Sequence, residues 1–238
     1  MVRTFFLLGS GEFEPWTHEP EERLLASAIG DGRVVVLPTA SSREGDDVFD
    51  RWARMGLAHY AESGVPAEVV PVKTHADAHD AGFAARVEAA SMIYFSGGKP
   101  AHLAEALAGT PLLAAIERAL DRGAVYAGCS AGAMVASRAH DPSKGAGTSW
   151  RFGLGFVPHA SFGVHWDRVR KLPGLTWWMT SRLPDGSWFV GIDEHTAIVG
   201  DGERWEVVGL GQVVTRRSGQ TAMYGPGDRF RTPPQASR

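Results

Sequence analysis

The sequence predicts an α/β fold: a mostly parallel, open sheet flanked by helices on both faces, with an antiparallel extension towards the C-terminus. Three observations predict it. Short continuous apolar runs, Phe5-Phe6-Leu7-Leu8, Val34-Val35-Val36-Leu37 and Met92-Ile93-Tyr94-Phe95, are what strands covered on both faces require. Stretches with helical periodicity separate these runs at the spacing of strand–helix–strand crossovers. From Phe189 onward the pattern changes to closely spaced short strands joined by turns such as Asp201-Gly202, the mark of antiparallel pairing.

Taken in order, the first run ends directly at the turn Gly9-Ser10-Gly11, which places Ser10 or Glu12 at a strand's C-terminal edge. Residues 21–29 read as a short amphipathic helix, and 38–45 as a loop that begins at Pro38. Residues 46–63 read as a helix with Val48, Trp52, Met55 and Tyr60 near one face. Val69-Val70-Pro71-Val72 is expected at a sheet edge, because Pro71 has no ladder donor. A helix over 80–90 precedes the strand at Met92, and two helices that each open on proline, 100–107 and 111–122, follow it. The next strand, 124–127, leads into Gly128-Cys129-Ser130-Ala131-Gly132-Ala133. Residues 140–152 are polar and glycine-bearing, as in a flap beside a site. A short strand carrying His165, the basic run 167–171 and an apolar helix around Trp177-Trp178-Met179 come before the closing strands.

At 238 residues the chain suits one α/β domain, residues 1–225, followed by a polar, proline-bearing tail, 226–238. A formal charge of -3 predicts no nucleic-acid partner. The opening apolar run is too short for a secretory signal, and nothing approaches the roughly 18 apolar residues of a membrane span, so no membrane partner is expected. A single cysteine, Cys129, forbids an internal disulfide and makes a reducing cytoplasm the expected compartment.

The spacing Gly128-x-Ser130-x-Gly132 is that of a nucleophile elbow, in which a strained strand-to-helix turn displays one side chain above the sheet edge. Ser130 lies midway between the glycines and Cys129 does not, so register selects the serine. The helix that follows would direct its free amides at the same spot. His75-x-Asp77-x-His79-Asp80 offers donor atoms but no clear fourth ligand or outer support, so no metal is expected. The tryptophan pair Trp177-Trp178 fits core or lid packing better than base stacking.

Four segments, in order and spacing, resemble peptidase family S51, which contains dipeptidase E and cyanophycinase and has the class I glutamine amidotransferase-like, broadly flavodoxin-like fold. They are Phe95-Ser96-Gly97-Gly98, the elbow 128–133, Gly153-Leu154-Gly155-Phe156-Val157-Pro158 leading to His165, and Gly191-Ile192-Asp193-Glu194-His195-Thr196-Ala197. The resemblance covers about residues 5–215. It implies a cofactor-free serine hydrolase in which Ser130 attacks a peptide carbonyl and His165 is the base. A third member, an acid, has three candidates: Glu194, which is preferred, Asp193, and Asp141 in the flap. The backbone amides of Gly98 and Ala131 are implied as the oxyanion hole.

Two departures bear on substrate. Lys99 stands where the family commonly has an amide, and Gly163 and Val164 stand where cyanophycinase-like members have an acid and an amide. Cyanophycin is therefore disfavoured, and the expected substrate is a short peptide or other small amide. A preference for an N-terminal aspartate would need a cation, for which Lys99 and Arg168 are the chosen candidates, with Arg170 and Lys171 behind them. A homodimer is allowed for. The competing function is a non-hydrolytic binding or regulatory module on the same scaffold with a vestigial site. An esterase of the α/β-hydrolase type would instead place its acid before the histidine, as at Asp141.

Overall fold

Period-two alternation along β1 (Thr4–Leu8) sends Phe5 and Leu7 to one side and Phe6 and Leu8 to the other, and every one of these side chains is buried. The computed structural model, which describes residues 2–137, 153–181, 183 and 186–235, repeats this in the neighbouring strands. Helix α1 (His18–Leu25) lies between β1 and β2 (Val34–Leu37); α2 (Asp46–Glu62) then leads to β3 (Ala67–Val69), and α3 (Ala81–Ala89) to β4 (Met92–Phe95). Two helices, α4 (Pro100–Leu107) and α5 (Pro111–Arg122), precede β5 (Val125–Cys129), and α6 (Ala131–Val135) leaves it. These five strands are mutually parallel in the order β1-β5-β4-β2-β3. Val35, Leu37, Ile93, Phe95 and Tyr126 face a core completed by α3 to α6, while Val34, Val36, Met92, Tyr94 and Val125 face the side where Leu24 of α1 and Tyr60 of α2 pack.

The C-terminal half divides between two sheets. Strands β6 (Ala160–Gly163) and β7 (Trp188–Ile192) flank the short helices α7 (Trp166–Val169) and α8 (Leu175–Thr180). The chain continues through β8 (Thr196–Gly200), β9 (Arg204–Gly209), β10 (Val213–Arg217), β11 (Gln220–Tyr224) and β12 (Arg229–Arg231). Strand β8 pairs antiparallel with β1 and is followed outward by β9 and β12, so the larger sheet has eight strands. Strands β11-β10-β7-β6 form a second, four-stranded sheet. The expected single meander is therefore two interleaved ones, and the chain crosses from the small sheet to the large one at Asp193–His195. Pairing with β8 removes the open edge that β1 would otherwise present.

Other differences are local. Helix α1 starts three residues before the expected position and ends at Leu25, and Pro38–Glu44, directly after β2, is a tight helical turn rather than a loop. Phe49, Gly56, His59 and Tyr60 form the buried face of α2, whereas Met55 is exposed, because Gly56 closes onto Val36 and Phe13 and sets the helix's rotation. Strand β3 ends before Pro71, at the predicted edge. Trp177 is 69% exposed and packs into no core. Within the segment expected to be a polar tail, Phe230 is buried and Arg229–Arg231 pairs with β9. The flap at 140–152, with Asp141, lies outside the described residues. Among the described residues no helix is long and apolar enough to cross a membrane.

Candidate active site

Strand β5 passes into α6 through Ser130, whose φ of 49° and ψ of -106° lie where an L-residue rests only under tertiary constraint. The flanking glycines supply that constraint by allowing close approach. A Cβ on Gly128 would lie 2.6 Å from the backbone of Gly132, and one on Gly132 would enter the Phe95 carbonyl. The Ser130 amide is tied to the Leu8 carbonyl at 3.0 Å, which fixes the elbow to β1 as well. Cys129, by contrast, is fully buried within β5.

His165 lies two residues beyond β6 rather than within it, at the N-terminal boundary of α7 and in a left-handed conformation (φ 50°, ψ 39°). The next residue, Trp166, anchors this turn. Its indole is buried against Phe189, with ring centroids 4.6 Å apart, and occupies the space where Gly191 lacks a Cβ. Gly163 yields room to the Phe189 ring in the same way. This packing holds the imidazole over the elbow, with Nε2 at 3.2 Å from Ser130 Oγ.

Glu194 reaches the opposite ring nitrogen: its Oε1 is 2.8 Å from His165 Nδ1. Its other oxygen, Oε2, accepts from Arg168 Nη2 at 2.7 Å, and its backbone amide donates to Asp167 Oδ1 at 3.0 Å. Asp167 is thereby held below the usual carboxylate range: burial pushes it up, but the amide donors and the nearby Lys171 and Arg168 charges outweigh that. Asp193 turns the other way. Its carboxylate accepts from the Gln212 amide at 3.1 Å and from Arg170 at 3.4 Å, and burial pushes its pKa up.

The three side chains Ser130, His165 and Glu194 thus meet in one line at the C-terminal edge of the large sheet, where ligands of such sheets bind. Ser130 and His165 border a cleft of about 360 Å³ lined by Glu12, Glu14, Glu44, Arg51, Trp52 and Gly98, among others, with Glu194 behind the imidazole. Gly98 (φ 139°) backs onto Ala40, where any Cβ would collide with the carbonyl. Ala131 is the first residue of α6, a position whose amide has no acceptor within the helix. Lys99 points outward at the rim, 65% exposed and 3.8 Å from Glu44. Arg168 is also exposed and engages Glu194 rather than the cleft.

Sequence reasoning missed several lining groups. Glu14 pairs with His195 at 2.8 Å, and Arg51 lies over the Trp52 ring at 5.6 Å. Glu14 and Arg51 sit in polar stretches with no motif around them, so only three-dimensional proximity reveals them. Of the residues weighed as metal ligands, Asp77 accepts from the amides of Lys73 and Thr74, Asp80 caps α3, and His75 and His79 meet edge to face. Among the described residues no three His, Cys, Asp or Glu side chains are grouped to hold a metal ion.

The chain is similar to proteins of one peptidase family. The model of peptidase family S51 matches residues 5–208. A cyanophycinase of Geminocystis herdmanii (strain PCC 6308) is 27% identical over 229 residues, 92% of this chain and 81% of that protein. The crystal structure of a peptidase from an acI-B1 Actinobacterium superposes with a TM-score of 0.90 at 31% identity, covering 97% of each chain. A putative peptidase E protein from Listeria monocytogenes EGD-e shares the fold, with a TM-score of 0.62 at 18% identity over 89% of this chain and all of that one.

Proposed function

Because the chain belongs to peptidase family S51 and is a serine peptidase, we propose that it is an exopeptidase of short peptides, with Ser130 as nucleophile, His165 as proton carrier and Glu194 as the orienting acid. The observation that carries this reading is the unbroken contact from Ser130 Oγ through the imidazole to Glu194 at the border of the cleft. Its size suits a few residues of peptide rather than a folded chain.

As Ser130 Oγ bonds to the substrate's carbonyl carbon, its proton passes to His165 Nε2, and Glu194 stabilises the imidazolium through Nδ1–H. The carbonyl oxygen takes up the negative charge and turns to the Gly98 and Ala131 amides. Collapse of the tetrahedral intermediate breaks the C–N bond, and the imidazolium gives its proton to the departing amine. Water then attacks the acyl-enzyme, His165 removing its proton, and the acid product leaves with Ser130 restored. Lys99 at the rim is a cation for an acidic substrate group; Arg168 acts through Glu194 instead.

A dipeptide panel that includes Asp-Xaa and isoaspartyl peptides, run on the wild type and Ser130→Ala, tests the reading. Release of free amino acids by the wild type, with a loss of about 10⁴-fold or more in the variant, is expected. Equal turnover by both proteins would end it.

A further inference from the structure

Strands β1, β4 and β5 end side by side at the active edge, and one carboxylate ties the three endings together. Glu12, shortly after β1, is only 6% exposed. Its Oε1 accepts the Gly97 amide at 2.9 Å, and its Oε2 accepts the Cys129 thiol at 2.8 Å. Burial, and then Glu12 itself, pushes the Cys129 pKa well up, so the sulfur keeps its proton and donates. Among the described residues no Lys, Arg or His pairs with Glu12. Burying a carboxylate on two uncharged donors is costly, and a neutral apolar residue would fill the same space at less expense.

What the carboxylate holds is the turn beside the nucleophile. A Cβ built on Gly97 would lie 3.2 Å from Glu12 Oε1 and 3.5 Å from Ser130 Cβ. On the other side of Gly98, the Lys99 amide is fixed to the Ala40 carbonyl at 2.7 Å. Gly98 therefore sits between two tethered amides, with its own amide unpartnered among the described residues. We infer that Glu12 is a positioning residue that clamps Gly97 and so aims the Gly98 amide at the oxyanion. The inference rests on the serine-peptidase site described above, but not on the identity of the peptide.

The test compares wild type, Glu12→Ala, Glu12→Gln and Ser130→Ala by peptide turnover, by labelling with a fluorophosphonate probe, and by hydrogen exchange at the Gly97 amide. In Glu12→Ala, kcat is expected to fall about 100-fold with KM within about threefold, and the Gly97 amide to lose protection. Glu12→Gln keeps an acceptor for that amide and is expected to restore kcat to within about fivefold of wild type. If Glu12→Ala does not fold, Glu12→Asp, shorter by one methylene, is expected to lose kcat alone. Wild-type kcat in Glu12→Ala, unchanged Gly97 exchange, or no rescue by glutamine would overturn the clamp. If the wild type cleaves no peptide while Gly97 exchange still follows the pattern of the variants, the peptidase substrate reading fails and the clamp stands.

Discussion

Ser130 and His165 both occupy positive-φ conformations that L-residues adopt rarely, and their side chains meet at 3.2 Å beside the cleft; His195, beside Glu194, is another such residue. Such conformations persist only where surrounding contacts fix them, and here those contacts also fix the groups proposed to react. Glu194, in contact with His165 Nδ1 at 2.8 Å, is the proposed orienting acid. Glu194→Gln should leave the fold intact but lower kcat by about 10³–10⁴-fold, since the amide no longer stabilises the imidazolium or its tautomer. Steady-state kinetics beside a matched melting curve checks this. Arg168 is 73% exposed, so solvent screens its hold on Glu194, and Arg168→Ala should cost less than about fivefold in kcat/KM, equally for acidic and neutral dipeptides. A KM increase confined to acidic substrates would return Arg168 to substrate binding. Glycine spacing marked Ser130 as the displayed residue of the turn, and the resemblance of the ordered motifs to the family was needed to single out both Ser130 and His165 as candidates. Glu194 and Asp193 are neighbours in one turn, and their division of labour depends on Asp167 and Gln212, which no local pattern connects to them.

Elements bounded by strong local chemistry were legible to the residue. Helices α4 and α5 begin on proline, and α5 is capped by Thr110 and closed at Gly123, so their limits follow from the chain itself. The rotation of α2 was not legible, because Gly56 reads as a helix weakener in sequence and is a contact surface for Val36 in space. Strands β7 to β10 were legible as strands, whereas β11 and β12 were not, and the choice of sheet depends on partners far away in the chain. The short turn after β6 carries a pH-dependent brace. Asp167 has a depressed pKa in the folded protein, so its contribution to stability is present above the ordinary carboxylate range and is lost as pH falls through it. Asp167→Asn should therefore cost about 1 kcal/mol at pH 7, and the gap to wild type should narrow as pH is lowered past the ordinary carboxylate range. Urea midpoints of the two proteins at pH 7 and at successively lower pH measure it.

At the scale of the molecule, the last strand is part of the fold. Phe230 is buried and stacks on Tyr224 at 4.8 Å, while Trp205 donates to Thr232 at 2.8 Å. Phe230→Ala should lower stability by about 3 kcal/mol, read as a reduced melting temperature with kcat little changed, because the residue lies at the edge of the sheet remote from β5. The crossing at Asp193–His195 has a wider consequence. The hydroxyl belongs to the large sheet, whereas the imidazole and its carboxylate hang from the end of the small one. Under the proposed mechanism, turnover therefore reads the alignment of two halves. A slight slippage of the four-stranded layer, too small to register as melting of the eight-stranded one, would disarm the enzyme while leaving its core whole.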